Sequence, residues 1–231
     1  MKYILYPITF LLFFSCNENT VNNKVQFLNS EIRKIDHQLT ETAVQEIDFD
    51  CPPEGNAKPE RIQKLNTFKN RTKFPQEKDF NSKITLREIL KPGNDELRWS
   101  NNNAARIVGY VYNVKPGGVE TTNCKSKDKS FRDTHIEIVL NPMSAGKKDV
   151  MVVEVTPRIR SIVKNEGEDW STSMLRSKYL GRWVEIEGWM LYDFEHDNMA
   201  ENTRPGNPKN WRATAWEIHP VTGIKVSSRR Q

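Results

Sequence analysis

The stretch Arg106-Ile107-Val108-Gly109-Tyr110-Val111-Tyr112-Asn113-Val114 changes the period of this chain. Upstream, apolar residues recur at helical spacing. Here β-branched and aromatic residues dominate, and Lys115-Pro116-Gly117-Gly118 closes the run. That pattern reads as a strand ending in a turn. Four more follow. Residues 134–140 make a second strand stopped by Asn141-Pro142, and 150–155 a third stopped by Thr156-Pro157. Residues 172–180 have helical character, with Gly181 where a helix C-cap belongs. A fourth strand runs from Arg182 through Gly188 to Tyr192, and a fifth over 214–219, with 221–226 as its continuation beyond Pro220.

Strand, strand, strand, helix, strand, strand is the order of the OB-fold, a five-stranded Greek-key barrel with a helix bridging strands three and four. Gly109 and Gly188 fall mid-strand, where a small barrel needs bends or bulges. The expected class is therefore mainly β, an OB-fold-like barrel over 105–231 preceded by short helices. An SH3-like barrel or a short sandwich is the alternative, because periodicity does not order strands.

Working outward, residues 51–104 carry helical and loop elements expected to pack on the barrel. Ile62, Leu65 and Phe68 space a helix over 59–71, whose surface would carry Arg61, Lys64, Lys69 and Arg71. A brief helix over 85–90 stops at Pro92-Gly93. Residues 17–50 read as a polar tether followed by an amphipathic stripe, Val25, Leu28, Ile32, Ile35 and Leu39. The first sixteen residues combine Lys2, an apolar run from Ile4 to Phe14, and Ser15-Cys16. That is the order of an export signal, too short for a spanning helix. A cysteine directly after the run points to a bacterial lipoprotein, acylated at Cys16 and anchored to the cell envelope, facing periplasm or surface; Phe13-Phe14-Ser15 before it fit a lipobox imperfectly, so simple secretion and an uncleaved anchor are the alternatives. The expected partners are the membrane, through that lipid, and an envelope protein or glycan.

Export changes how the other cysteines read. Cys51 and Cys124 are 73 residues apart, awkward for a metal knuckle and suited to one disulfide in an oxidising compartment. The net charge of +5 falls to +4 when Lys2 leaves with the signal, a mild basic balance that demands no acidic partner. The loop between strands one and two, 115–132, has five basic and two acidic residues, whereas that between strands four and five, 193–212, has four acidic and three basic. Opposite signs do not make the continuous positive groove of a single-strand binder, so nucleic acid is not the expected ligand. Tyr110, Tyr112, Phe131, Trp170, Trp189 and Trp211 have stacking chemistry but fall at core spacing.

Three histidines lie among carboxylates in the barrel region. Asp133, His135 and Glu137 alternate onto one face of strand two, Glu217 and His219 onto one face of strand five, and Glu154 is the polar member of strand three. His196 sits in an acidic loop beside Asp193, Glu195 and Asp197. If the strand faces converge, Asp133, His135, Glu137, Glu217 and His219 could hold zinc, manganese or nickel, and activated water would make a hydrolase. Without convergence they are satisfied core and surface groups, no cofactor is expected, and the protein is a non-catalytic binding module using the two long loops and the His135 face. Phosphate loops, nucleophile elbows, H-E-x-x-H and C-x-x-C are all missing from the sequence.

The segments 115–121 (K-P-G-G-V-E-T), 132–138 (R-D-T-H-I-E-I), 152–158, 180–183 and 210–222 (N-W-R-A-T-A-W-E-I-H-P-V-T) resemble, in order, a group of exported or lipid-anchored bacterial proteins of unassigned function. The resemblance covers about residues 50–226. It implies a shared C-terminal OB-fold-like domain and no particular chemistry.

Overall fold

The computed structural model describes residues 50–93, 95–143 and 145–228. The expected leader with Cys16, and the stripe from Val25 to Leu39, lie outside the described residues. Among the described residues no helix is long and apolar enough to cross a membrane.

Strand β1 (Ala104–Pro116) is long enough to serve two neighbours. Its first half pairs antiparallel with β4 (Trp183–Tyr192), Ala104 opposite Trp189 and Tyr110 opposite Trp183. From Tyr110 onward it pairs antiparallel with β2 (Thr134–Val139), through a register shift between Val111 and Asn113. β2 pairs antiparallel with β3 (Met151–Val155), and β3 runs parallel to β5 (Trp216–Val226). β5 returns antiparallel to β4, closing the barrel in the order β1-β2-β3-β5-β4. The molecule is the OB-fold-like barrel that the strand order implies.

Closure at this size leaves no room beside two strand glycines, one facing a core side chain and one facing backbone. A Cβ on Gly109 would lie 2.2 Å from Ile138 Cγ2, and one on Gly188 would lie 2.3 Å from the Pro220 carbonyl. Neither site admits a side chain. Register shifts flank Gly188, so the predicted bend is also a bulge. The fifth strand runs unbroken through Pro220.

Alternation sends Ile136, Ile138, Met151, Val153, Val155, Ile186, Met190, Trp216 and Ile218 into one apolar core. Helices α3 (Pro157–Asn165) and α4 (Thr172–Tyr179) bridge β3 and β4 and add Ile159, Val163, Leu175 and Tyr179 to it. Residue spacing predicts α4 but not α3. Thr156-Pro157 ends a strand, yet the Thr156 hydroxyl also accepts from the Ile159 amide and Pro157 takes the first helical turn. One dipeptide stops a strand and starts a helix, and the three apolar positions that follow, Ile159, Ile162 and Val163, are too few to show a period.

Upstream, helix α1 (Glu60–Lys69) and the single turn α2 (Leu86–Ile89) pack on the barrel. The Cys51–Cys124 disulfide ties the start of this region to the β1–β2 loop. Asn70 donates to the Thr122 and Pro53 carbonyls, and the Arg71 guanidinium donates to the carbonyls of Asn101, Met190 and His219. Lys69 and Arg71, expected on the helix surface, are instead turned inward. Lys69 is 1% exposed, and burial pulls the Arg71 guanidinium down to about 10. Asp95, fully buried, accepts from Thr214 Oγ1 and the Ala215 amide and fastens the β4–β5 loop to the 90s segment.

Candidate functional site

Because Ile136 and Ile138 face inward, His135 and Glu137 face outward from β2. By the same alternation Glu154 leaves β3 outward, and Glu217 and His219 leave β5 outward, where β3 and β5 are adjacent. On an OB-fold this side, bordered by the β1–β2 and β4–β5 loops, ordinarily takes the ligand. Here both loops and α1 lie over it. His219 is 0% exposed, Glu217 2%, Asp133 3%, Glu154 5% and His135 8%.

A chain of ion pairs runs across this closed face. Lys115 Nζ meets Glu137 Oε1 at 2.6 Å, and Glu137 Oε1 lies 3.4 Å from His135 Nε2. His135 Nδ1 pairs with Glu154 Oε1 at 2.9 Å, and the other Glu154 oxygen is 3.6 Å from His219 Nδ1. His219 Nδ1 is 3.1 Å from Glu217 Oε2, and Glu217 Oε1 accepts from Arg212 at 2.7 Å. Alongside, Lys69 Nζ bridges Asp193 at 2.8 Å and Glu120 at 3.1 Å, and Asp193 holds His196 Nδ1 at 2.9 Å. The Trp211 ring covers two imidazoles, 5.7 Å from His135 and 6.1 Å from His196 between centroids.

Burial and neighbouring charge oppose each other throughout. Burial pulls the His135 imidazole down, but the Glu137 and Glu154 carboxylates outweigh it and lift it to about 9. His135 in return, with Lys115, holds Glu137 at about 2. Burial would raise Glu154, yet His135 and His219 keep it well below the usual carboxylate range. Asp133 is the exception. Burial, helped by the Glu154 and Glu120 charges, lifts it to about 7 against the opposing charges of His219 and Lys69. Buried ions survive only when paired in this way.

Pairing is incomplete in places, His135 Nε2 among them, and at one spot two unpartnered atoms belong to neighbouring side chains. His219 Nε2 and Asp133 Oδ1 are buried without a hydrogen-bond partner among the described residues, and His219 Nε2 stands 3.8 Å from Asp133 Oδ2. One donor atom each from Asp133, Glu154 and His219 falls within 4.8 Å of the others, and Asp193, His196 and Glu217 form a second such trio.

The structure therefore brings His135 and His219 to the same side, joined through Glu154, with Asp133 and Glu217 beside His219. Glu137 sits one step further out, against Lys115. Lys69, Arg212 and Glu120 complete the network without a sequence signal for the role. The one trace is that Lys69 lies four residues after Leu65, on the apolar stripe of α1. His196, in a loop whose course the sequence leaves open, lands in the second trio. Of the aromatics, Trp170 and Trp189 are buried, whereas Tyr112 is exposed.

No protein-family model matches the chain, and no curated protein matches it.

Outside the closed face, a groove of about 490 Å³ opens between the turn at Lys129–Phe131 and helices α3 and α4. Lys129, Arg160 and Lys164 line it with Phe131 and Trp170, and Asp169 is its single acidic residue. The Arg160 guanidinium donates to Thr134 Oγ1 and to the Ser130 and Arg132 carbonyls, so its charge has no bonded carboxylate.

Proposed function

We propose that this chain is a non-catalytic binding module of the bacterial cell envelope. It is exported on residues 1–16 and held at the membrane by lipid on Cys16. The observation that carries the non-catalytic reading is closure of the ligand face by α1 and both long loops. General acid, base or metal-bound water must touch the bond it cleaves. His135, Glu154, Glu217 and His219 are within a few per cent of complete burial and spend their charge on one another. The Cys51–Cys124 disulfide fits an oxidising compartment.

The binding surface moves to the groove beside Lys129. An aromatic floor with three basic side chains against one acid suits an acidic glycan, rings stacking and carboxylates pairing. The test is a titration of the full chain with polygalacturonate, alongside neutral dextran, at low and high salt. Saturable, salt-weakened binding to the acidic polymer, no polymer shortening, and loss of binding in Lys129→Glu/Lys164→Glu support the reading. Shortening of the polymer by the parent overturns the non-catalytic reading. Equal binding by parent and double variant overturns the groove.

A further inference from the structure

We propose that Asp133, Glu154 and His219 bind one first-row divalent cation, zinc foremost, as a structural clasp of the covered face. The three side chains come from three places: the residue before β2, the middle of β3, and the middle of β5. The geometry of His219 is that of a ligand held ready. Its Nδ1 is turned to Glu217 Oε2 at 3.1 Å, which keeps a proton on Nδ1 and makes Nε2 the nitrogen that gives up its proton to a cation. Nε2 is wholly buried, has no hydrogen-bond partner among the described residues, and faces Asp133, whose Oδ1 is equally buried and unpartnered there. Buried polar atoms without partners are rare because their desolvation goes uncompensated. A cation between them satisfies both at once, and Glu154 supplies the third donor within 4.8 Å.

The chemistry of the set selects the ion. Two carboxylates match a charge of two. The imidazole argues against magnesium and calcium, which take oxygen. With Cys51 and Cys124 spent on each other, no thiolate is present among these donors to favour copper(I). The neighbouring trio is a poorer site, because protein cations already occupy it: Lys69 on Asp193 at 2.8 Å and Arg212 on Glu217 at 2.7 Å. In the Asp133 trio only one oxygen is taken in that way, Glu154 Oε1 by His135 Nδ1 at 2.9 Å, which leaves the other Glu154 oxygen and the Asp133 carboxylate to an ion. Bound there, the ion ties the end of the β1–β2 loop to the neighbouring strands β3 and β5.

The inference does not depend on what the outer groove binds, since its readout is the metal itself. The full chain in detergent, stripped with chelator, is titrated calorimetrically with zinc alone and melted with and without it. One zinc per chain and a melting temperature that climbs with zinc are expected, with magnesium inert. Asp133→Asn, of equal size, should weaken binding by about tenfold or more, whereas His196→Gln should bind like the parent. A stripped parent that melts cooperatively yet takes up no zinc overturns the proposal, as does loss of binding in His196→Gln with Asp133→Asn intact. Should Asp133→Asn fail to melt cooperatively, X-ray absorption of the zinc-loaded parent decides. A nitrogen and oxygen shell with one imidazole supports the site, and two imidazoles or a sulfur overturn it.

Discussion

Replacing Lys69 by Met tests whether the covered face is held by charge or merely by shape. The ammonium is 1% exposed and spans 2.8 Å to Asp193 and 3.1 Å to Glu120. Burial lowers its affinity for a proton, but Asp193 and Glu120 more than reverse this and hold it well above 10.5. A cation raised in the folded state contributes fully below its unfolded value, so the whole contribution is present at neutral pH. Methionine keeps most of the stem's packing and removes the charge. Asp193, at 0% exposure, is then left with His196 and the Glu195 amide, whereas Glu120 is wet enough to rehydrate. Taking one partner from a buried pair costs about 3–5 kcal/mol, nearly all of it here on Asp193. For a unit of this size that is a fall in melting temperature of about 6–20 °C. Urea unfolding of the chelator-treated chain, followed by tryptophan fluorescence, measures it. Adding Asp193→Asn should recover part of the loss, with a coupling of about 1–3 kcal/mol. A loss under about 1 kcal/mol, or strict additivity of the two substitutions, would refute the ionic account of this face.

The Asp193–His196 pair makes stability depend on pH in a definite direction. Burial opposes His196 protonation, as does Arg212, but Asp193 and Glu217 raise it above 6.5; Asp193 itself is held well below 3.8 by Lys69 and His196 against burial. The histidine's contribution is whole below pH 6.5 and fades as pH rises through its folded value, while that of Asp193 fades only in strong acid. In chelator, the stability gap between the parent and His196→Gln should therefore be widest near pH 5–6.5 and shrink toward pH 9. A gap that stays constant across that range contradicts the pairing. Opening the Cys51–Cys124 bridge, in Cys51→Ser/Cys124→Ser, should lower stability by about 4 kcal/mol, as closing a loop of 73 residues implies. Because that bridge also fixes α1 against the β1–β2 loop, hydrogen exchange in 120–125 should quicken more than in β2, and uniform quickening would count against it.

The barrel was legible because its evidence is local. Strand period, a glycine wherever backbones cross, and a turn residue after each run are written over five to ten residues apiece. Helix α3 was not legible, since Thr156-Pro157 serves two boundaries and the apolar positions after it are few. The candidate site divides along the same line. Strand alternation put Asp133, His135 and Glu137 on one face and Glu217 with His219 on another, which needs only a period of two. That Glu154 lies between the two histidines depends on β3 running beside both β2 and β5, where Glu217 pairs with Val152 across 65 residues.

What the sequence by itself determined is the class of fold, the disulfide partners and the polar faces of single strands, because each rests on spacing or on elimination within the chain. Only the tertiary structure decided that the ligand face is covered, that Lys69 and Arg212 are buried as counter-ions, and that His219 Nε2 and Asp133 Oδ1 stand unpaired. Burial and charge pairing are sums over neighbours brought from α1, both long loops and three strands, and no local pattern of residues carries that sum.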